Sequence, residues 1–183
     1  MGASPWKDQP LVEEGPNVAA NYIEWKDAVE FCKKLTEKEG VEYRLPTESE
    51  WEYACRAGTT TAFSFGDDRD QIGEYAWFKG NAYAEGEQYA HTVGQKLPNA
   101  WALYDMHGNV WEWCHDWFGP YPRDTDQVTD PKGPKKGRVR VWRGGGFSDP
   151  ADLMRSANRL SYNQHGYRPI YITGFRVVRM LTQ

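Results

Sequence analysis

The chain has 183 residues, a formal net charge of −4 and a pI near 5.6. That length suits one domain with a sizeable core, and an acidic balance without a dominant basic stripe argues against nucleic acid as the partner. No apolar run reaches the length of a membrane span, and the first residues lack the basic and apolar regions of a signal peptide. Cys32, Cys55 and Cys114 are too few and too scattered for a disulfide framework. Nine Trp and eleven Tyr predict a loop-heavy core stitched together by side-chain hydrogen bonds, because each brings a polar atom that needs a partner when buried.

Residues 1–21 carry three prolines and read as an irregular segment ahead of a single domain over 22–183. Trp25, Ala28, Val29, Cys32 and Leu35 recur at helical spacing and predict a surface helix from Trp25 to Lys38, ended by Gly40. In Leu45-Pro46-Thr47-Glu48-Ser49-Glu50, Pro46 holds the residue before it extended, and Thr47 with Glu50 forms a capping box. A second helix then runs to about Ala57 and stops at Gly58. Residues 58–100 predict turns and short strands. Residues 119–137, with four prolines and three glycines, predict a long surface loop, and the basic run Lys132–Arg140 within and beyond it reads as a solvated face. Alternation at Val139, Val141 and Arg143, and again over 174–179, predicts strands. The fold class is α+β, with two helices, short antiparallel strands and much irregular structure.

Four ordered phrases carry a family resemblance: Tyr43-Arg44-Leu45-Pro46-Thr47-Glu48-Ser49-Glu50-Trp51-Glu52-Tyr53-Ala54, Leu103-Tyr104-Asp105-Met106-His107-Gly108-Asn109-Val110-Trp111-Glu112-Trp113, Val141-Trp142-Arg143-Gly144-Gly145-Gly146-Phe147 and Gly174-Phe175-Arg176-Val177. Over roughly residues 22–179 the chain resembles the formylglycine-generating-enzyme, or sulfatase-modifying-factor, family. The resemblance implies a C-type-lectin-like fold. The family opens with a longer strand-rich segment than the residues ahead of Trp25 provide. It also carries two cysteines shortly after the Arg-Gly-Gly motif, whose thiolates bind copper and oxidise a substrate cysteine. Here residues 147–159 contain no cysteine. Met154 is at best a weak soft ligand, so neither thiol-dependent oxidation nor copper is expected.

The resemblance also implies a structural calcium held by Asp105, Gly108, Val110 and Glu112, a set of carboxylates and turn carbonyls suited to a hard cation. Cys114, His115 and Asp116 are adjacent, and neighbours on a strand point to opposite faces, so they do not read as a metal centre. Ser148, Asp149 and His165 lack a nucleophile-elbow context. Residues 148–173 contain no Lys, Glu or Trp, although these types recur through the rest of the chain. That bias resembles the variable proteins of diversity-generating retroelements, in which adenine-directed mutation of Asn-type codons cannot produce those residues. A binding face is therefore expected within 147–173. Phe147, Tyr162, Tyr167 and Tyr171 offer rigid aromatic area, Ser148, Asn163 and His165 offer adaptable hydrogen bonds, and Asp149, Asp152, Leu160 and Ile170 tune specificity, a mixture found in antibody paratopes. Arg155 and Arg159 read as framework. The expected partner is a protein or cell-surface ligand. A diverged modifying enzyme and a structural accessory domain are the alternatives.

Overall fold

Helix α1 (Trp25–Glu39) forms where the apolar spacing places it and buries Ala28 and Cys32. Gly40 ends it in the left-handed conformation, returning its N–H to Thr36. The structure, a computed structural model, describes residues 4–121, 128–162 and 170–181, the side chains of Tyr162 and Ile170 excepted. Strand β1 (Tyr43–Arg44) leads through Pro46 into helix α2 (Glu48–Arg56). The Thr47 hydroxyl accepts from the Glu50 N–H, and the Glu50 carboxylate accepts from the Thr47 N–H at 2.8 Å, closing the capping box. The left-handed cap of α2 is Ala57, at φ 47°, one residue before the glycine that the sequence suggests.

Two expectations need correction. Among the described residues there is a third, four-residue helix, α3 (Ile72–Tyr75), too short to leave a periodic signature. The strands are also not all antiparallel. Strand β2 (Ala76–Trp77) pairs in parallel with β3 (His107–Gly108). The main sheet runs β6 (Leu160–Tyr162), β5 (Arg140–Arg143), β4 (Trp111–Trp117), β7 (Thr173–Gly174), and its β4–β7 edge is parallel. The run over 174–179 divides between β7 and β8 (Val178–Arg179), which pairs antiparallel with β1 between helices α1 and α2. At Gly108, φ is +82° and a Cβ would collide with the Trp77 carbonyl, so only glycine permits the β2–β3 approach.

Strand β4 is buried on both faces over most of its length, with only His115 exposed. Trp111, Trp113 and Trp142 form its aromatic centre, with Trp113 edge-on to Trp142 at 5.0 Å. Four tryptophans find the partners that burial demands, whereas Trp77 Nε1 is buried without a hydrogen-bond partner among the described residues. Trp25 donates to the Cys114 carbonyl at 3.0 Å, Trp113 to the Ile23 carbonyl at 2.8 Å, Trp51 to Glu112 at 2.6 Å and Trp111 to Asp149 at 2.6 Å. Side-chain hydrogen bonds thus replace the long ladders that short strands cannot supply.

Helix α2 is locked to the sheet by charge. Arg143, at the end of β5, is fully buried. It lies 3.1 Å from Glu48 and 2.5 Å from Glu52, and donates to the carbonyls of Ser156 and Asn158. Arg159 reaches the second Glu48 oxygen at 2.7 Å. Removing the guanidinium takes the shared cation from the buried Glu48 and from Glu52, leaving them with Arg159 and Arg56 alone, and strands the carbonyls of Ser156 and Asn158. Arg143→Leu should lower the unfolding free energy by about 3–5 kcal/mol, measured by urea denaturation, with much of that loss recovered when Glu48→Gln and Glu52→Gln are added.

Candidate functional site

The segment following Arg143 is pinned from below by core groups. Phe147 is fully buried, with its N–H on the Asn109 carbonyl at 2.8 Å and its ring against His91 and Tyr171. It therefore anchors the segment and is corrected from a contact residue to a core residue. Asp149 is also buried. Its carboxylate accepts from Trp111, and its carbonyl accepts from the Lys79 N–H at 2.9 Å, so it too holds the loop in place. A 3-10 turn over Ala151–Met154 follows, burying Ala151 and Met154.

Between these anchors some side chains face outward. Asp152 is exposed and pairs with Arg69 at 3.1 Å. Ser148, Leu160 and Tyr171 are half-buried. Strand β6 lies at the edge of the sheet, with Leu160 opposite Trp142. Asn163, His165 and Tyr167 lie outside the described residues, as do the side chains of Tyr162 and Ile170. The return of the segment is fixed by Ile172 and Thr173, both buried, with the Tyr171 carbonyl accepting from Asn21 at 2.9 Å and the Thr173 hydroxyl donating to Ile23. Arg159 has the framework role expected of it, bound to Glu48 and to the Gly119 carbonyl at 2.8 Å.

His107 is an anchor that sequence reasoning missed as such. Its Nδ1 lies 2.7 Å from the Met154 carbonyl, which can only accept, while its Nε2 lies 3.2 Å from the Ser64 N–H, which can only donate. These two constraints define the neutral Nδ1–H tautomer. Burial pushes the imidazole down to about 4. Nothing in the local sequence signals this, since Ser64 and Met154 are remote from His107 in the chain.

The expected calcium ligands gather around one cavity of about 510 Å³, lined by Asp105, Gly108, Val110 and Glu112 together with Arg176. Asp105 and Asn109 take left-handed turns there, at φ 56° and 64°. Glu112 receives Arg176 on both oxygens, at 2.5 and 2.6 Å, and Trp51 on one of them. Asp105 Oδ2 accepts from the Gly94 N–H, whereas Oδ1 is buried without a hydrogen-bond partner among the described residues. Burial raises the Asp105 carboxyl above its usual range. The donor set thus offers one carboxylate oxygen for a cation, beside a glutamate already balanced by a guanidinium.

The three cysteines are free and buried, and burial pushes the thiols of Cys32 and Cys55 up to about 11 and 12 and that of Cys114 well above its ordinary value. None has the exposed, electropositive setting of a reactive thiolate. Cys114 and Asp116 point inward while His115 points outward, as adjacent strand positions must.

Residues 3–181 match the sulfatase-modifying factor enzyme 1-like domain. The chain belongs to that family. It is 34% identical over 140 residues to the formylglycine-generating enzyme of Streptomyces coelicolor, an alignment that covers 72% of this chain and 43% of that protein. It thus spans less than half the length of this curated relative. Among solved structures it superposes on Treponema denticola variable protein 1 with a TM-score of 0.83 and 27% identity, covering 97% of this chain and 77% of that one. PvdO from Pseudomonas aeruginosa superposes with a TM-score of 0.79 and 30% identity, covering 92% and 64%. The proteins it is similar to thus include some named as enzymes and one named as a variable protein.

The His107 shift has a pH consequence. Its folded value lies below the unfolded value of 6.5, so below pH 6.5 the unfolded chain takes up a proton that the native site refuses. The contribution is complete above that value and is lost as pH falls towards 4, about 3 kcal/mol in all. Urea midpoints measured across this window should fall with pH, and His107→Gln should flatten the dependence.

Proposed function

We propose that this chain is a non-catalytic recognition domain that presents a variable surface from residues 147–173 on a fixed aromatic scaffold. The likeness to a variable protein across nearly the whole chain carries the proposal. Two features support it. The segment has anchors at both ends and in its middle, namely Phe147, Asp149, Met154, Ile172 and Thr173, so intervening side chains change without unseating the core. The sequence also places no cysteine after Arg143, and the cysteines it has are buried. Ser148, Asp152, Leu160 and Tyr171 are the described contact residues, joined by Tyr162, Asn163, His165, Tyr167 and Ile170 from the same segment. The partner is a protein or a cell-surface ligand.

The test is genetic and biochemical together. Deep sequencing of the locus in a growing population should find substitutions concentrated at adenines within codons 147–173, beside a near-identical template repeat. Replacing residues 160–171 by those of a sibling sequence should change the target bound while circular dichroism and Tm hold. An invariant locus, or binding indifferent to the exchange, overturns the proposal. The identity to formylglycine-generating enzymes favours a modifying enzyme as the second reading; conversion of a cysteine peptide to an aldehyde by the purified chain would establish it.

A structural calcium at Asp105, Gly108, Val110 and Glu112 belongs to the same proposal. The unpartnered Asp105 oxygen supports it, with Glu112 shared between the ion and Arg176. Addition of millimolar calcium should raise Tm, and Asp105→Asn should abolish the increase; an unchanged Tm in the parent chain rejects the site.

A further inference from the structure

Strand β8 leaves one side of its backbone open. Met180 donates its N–H to the Glu42 carbonyl at 2.9 Å, and Val178 stands opposite Arg44 of β1. Backbone groups alternate in direction along a strand. The N–H and C=O of Val178 and Met180 therefore face β1, and those of Val177, Arg179 and Leu181 face away from it. None of this second set is taken up by another backbone group among the described residues. The opposite edge of the two-stranded sheet is closed, because the Thr36 hydroxyl of α1 accepts from the Tyr43 N–H at 2.8 Å.

Open edges are ordinarily blunted by charge, by proline or by a covering element. Here Val177 is 37%, Met180 38% and Leu181 82% exposed, and Arg179 is the one charged residue from Val177 to Leu181. Val177 and Leu181 share a face with Arg179 and with Phe175, whose ring stands edge-on to Phe31 of α1 at 5.2 Å. A sheet of two strands is marginal by itself, and a third strand adds both a ladder and an apolar face.

The added strand comes from a second copy or from a different protein. Two-fold antiparallel self-pairing that uses all three outward residues centres on Arg179 and sets it directly opposite Arg179 of the other copy. Like charges so placed repel. A foreign segment with a neutral residue at that point meets no such cost. Its main chain supplies the ladder, and apolar side chains opposite Val177 and Leu181 cover the exposed face.

We infer that the open edge of β8 is a docking site for an extended segment of another protein, with apolar residues opposite Val177 and Leu181 and a neutral residue opposite Arg179. None of residues 147–173 belongs to this edge, so it stands apart from the recognition surface proposed above. The probe is a short peptide of alternating Val and Thr with a lysine at each end. Its control is the same peptide N-methylated along the Val-Thr core, which cannot donate to a ladder. Saturable binding of the unmethylated peptide alone is expected, with amide hydrogen exchange slowed about tenfold at Val177, Arg179 and Leu181. Arg179→Pro removes one outward N–H and spares the bonds to β1. It should weaken binding about tenfold with circular dichroism unchanged. Val177→Lys, which leaves every backbone group in place and adds a charge to the edge, should weaken it too. Absence of binding by about 1 mM peptide, equal affinity for the methylated peptide, or affinity untouched by both substitutions overturns the inference. A dimer of the parent chain that Arg179→Pro dissociates gives the edge to a second copy and overturns the assignment to another protein.

Discussion

The buried guanidinium of Arg143 joins elements that the backbone alone leaves separate. It ends strand β5, grips the two glutamates on the inner face of α2, and binds the carbonyls of Ser156 and Asn158 beyond the Gly-rich turn. A bidentate, permanently charged fork suits this task where lysine does not, because four groups in different directions must be satisfied at once. Such a network is costly to desolvate and contributes little net stability compared with apolar packing. Its value lies in geometry, since it fixes where α2, the sheet and the following segment sit relative to one another.

That arrangement explains how one segment can be anchored in the core and still present side chains to solvent. Residues 147–159 descend repeatedly into the core through Phe147, Asp149, Ala151, Met154 and Ser156, while Asp152 and Arg155 remain outside. Each inward residue meets a partner that does not depend on its exposed neighbours: Trp111 for Asp149, His107 for the Met154 carbonyl, Ala62 for the Ser156 N–H. The chain's thiols are distributed through buried surroundings that suppress ionisation.

Local features were legible in the sequence to the extent that their causes are local. The capping box at Thr47 and Glu50, the apolar stripe of α1 and the stop at Gly40 all follow from contacts within a few residues. The demand of nine tryptophans for hydrogen-bond partners was legible too, although not the identity of those partners, which are up to 90 positions away in sequence. The resemblance carried by the Arg-Gly-Gly and Gly-Asn-Val-Trp-Glu-Trp phrases gave the fold, because glycines at close backbone approaches, as at Gly108 against Trp77, leave few alternatives. The α2 cap shifted to Ala57, since a left-handed conformation can be imposed on alanine by the surrounding packing.

Sequence by itself determined the α+β class, the two longer helices, the lack of a cysteine after Arg143 and the compositional bias of 148–173. Only the tertiary structure decided which residues of that segment face solvent, because Phe147 and Tyr171 are equally plausible as contact residues until one is found under the sheet and the other half out of it. It also decided that Glu112 is neutralised by Arg176, that His107 is locked neutral and that Glu48 and Glu52 converge on Arg143. The reason is common to all of these: charge and burial are set by neighbours in space, and in a fold of short strands and long loops those neighbours are remote along the chain.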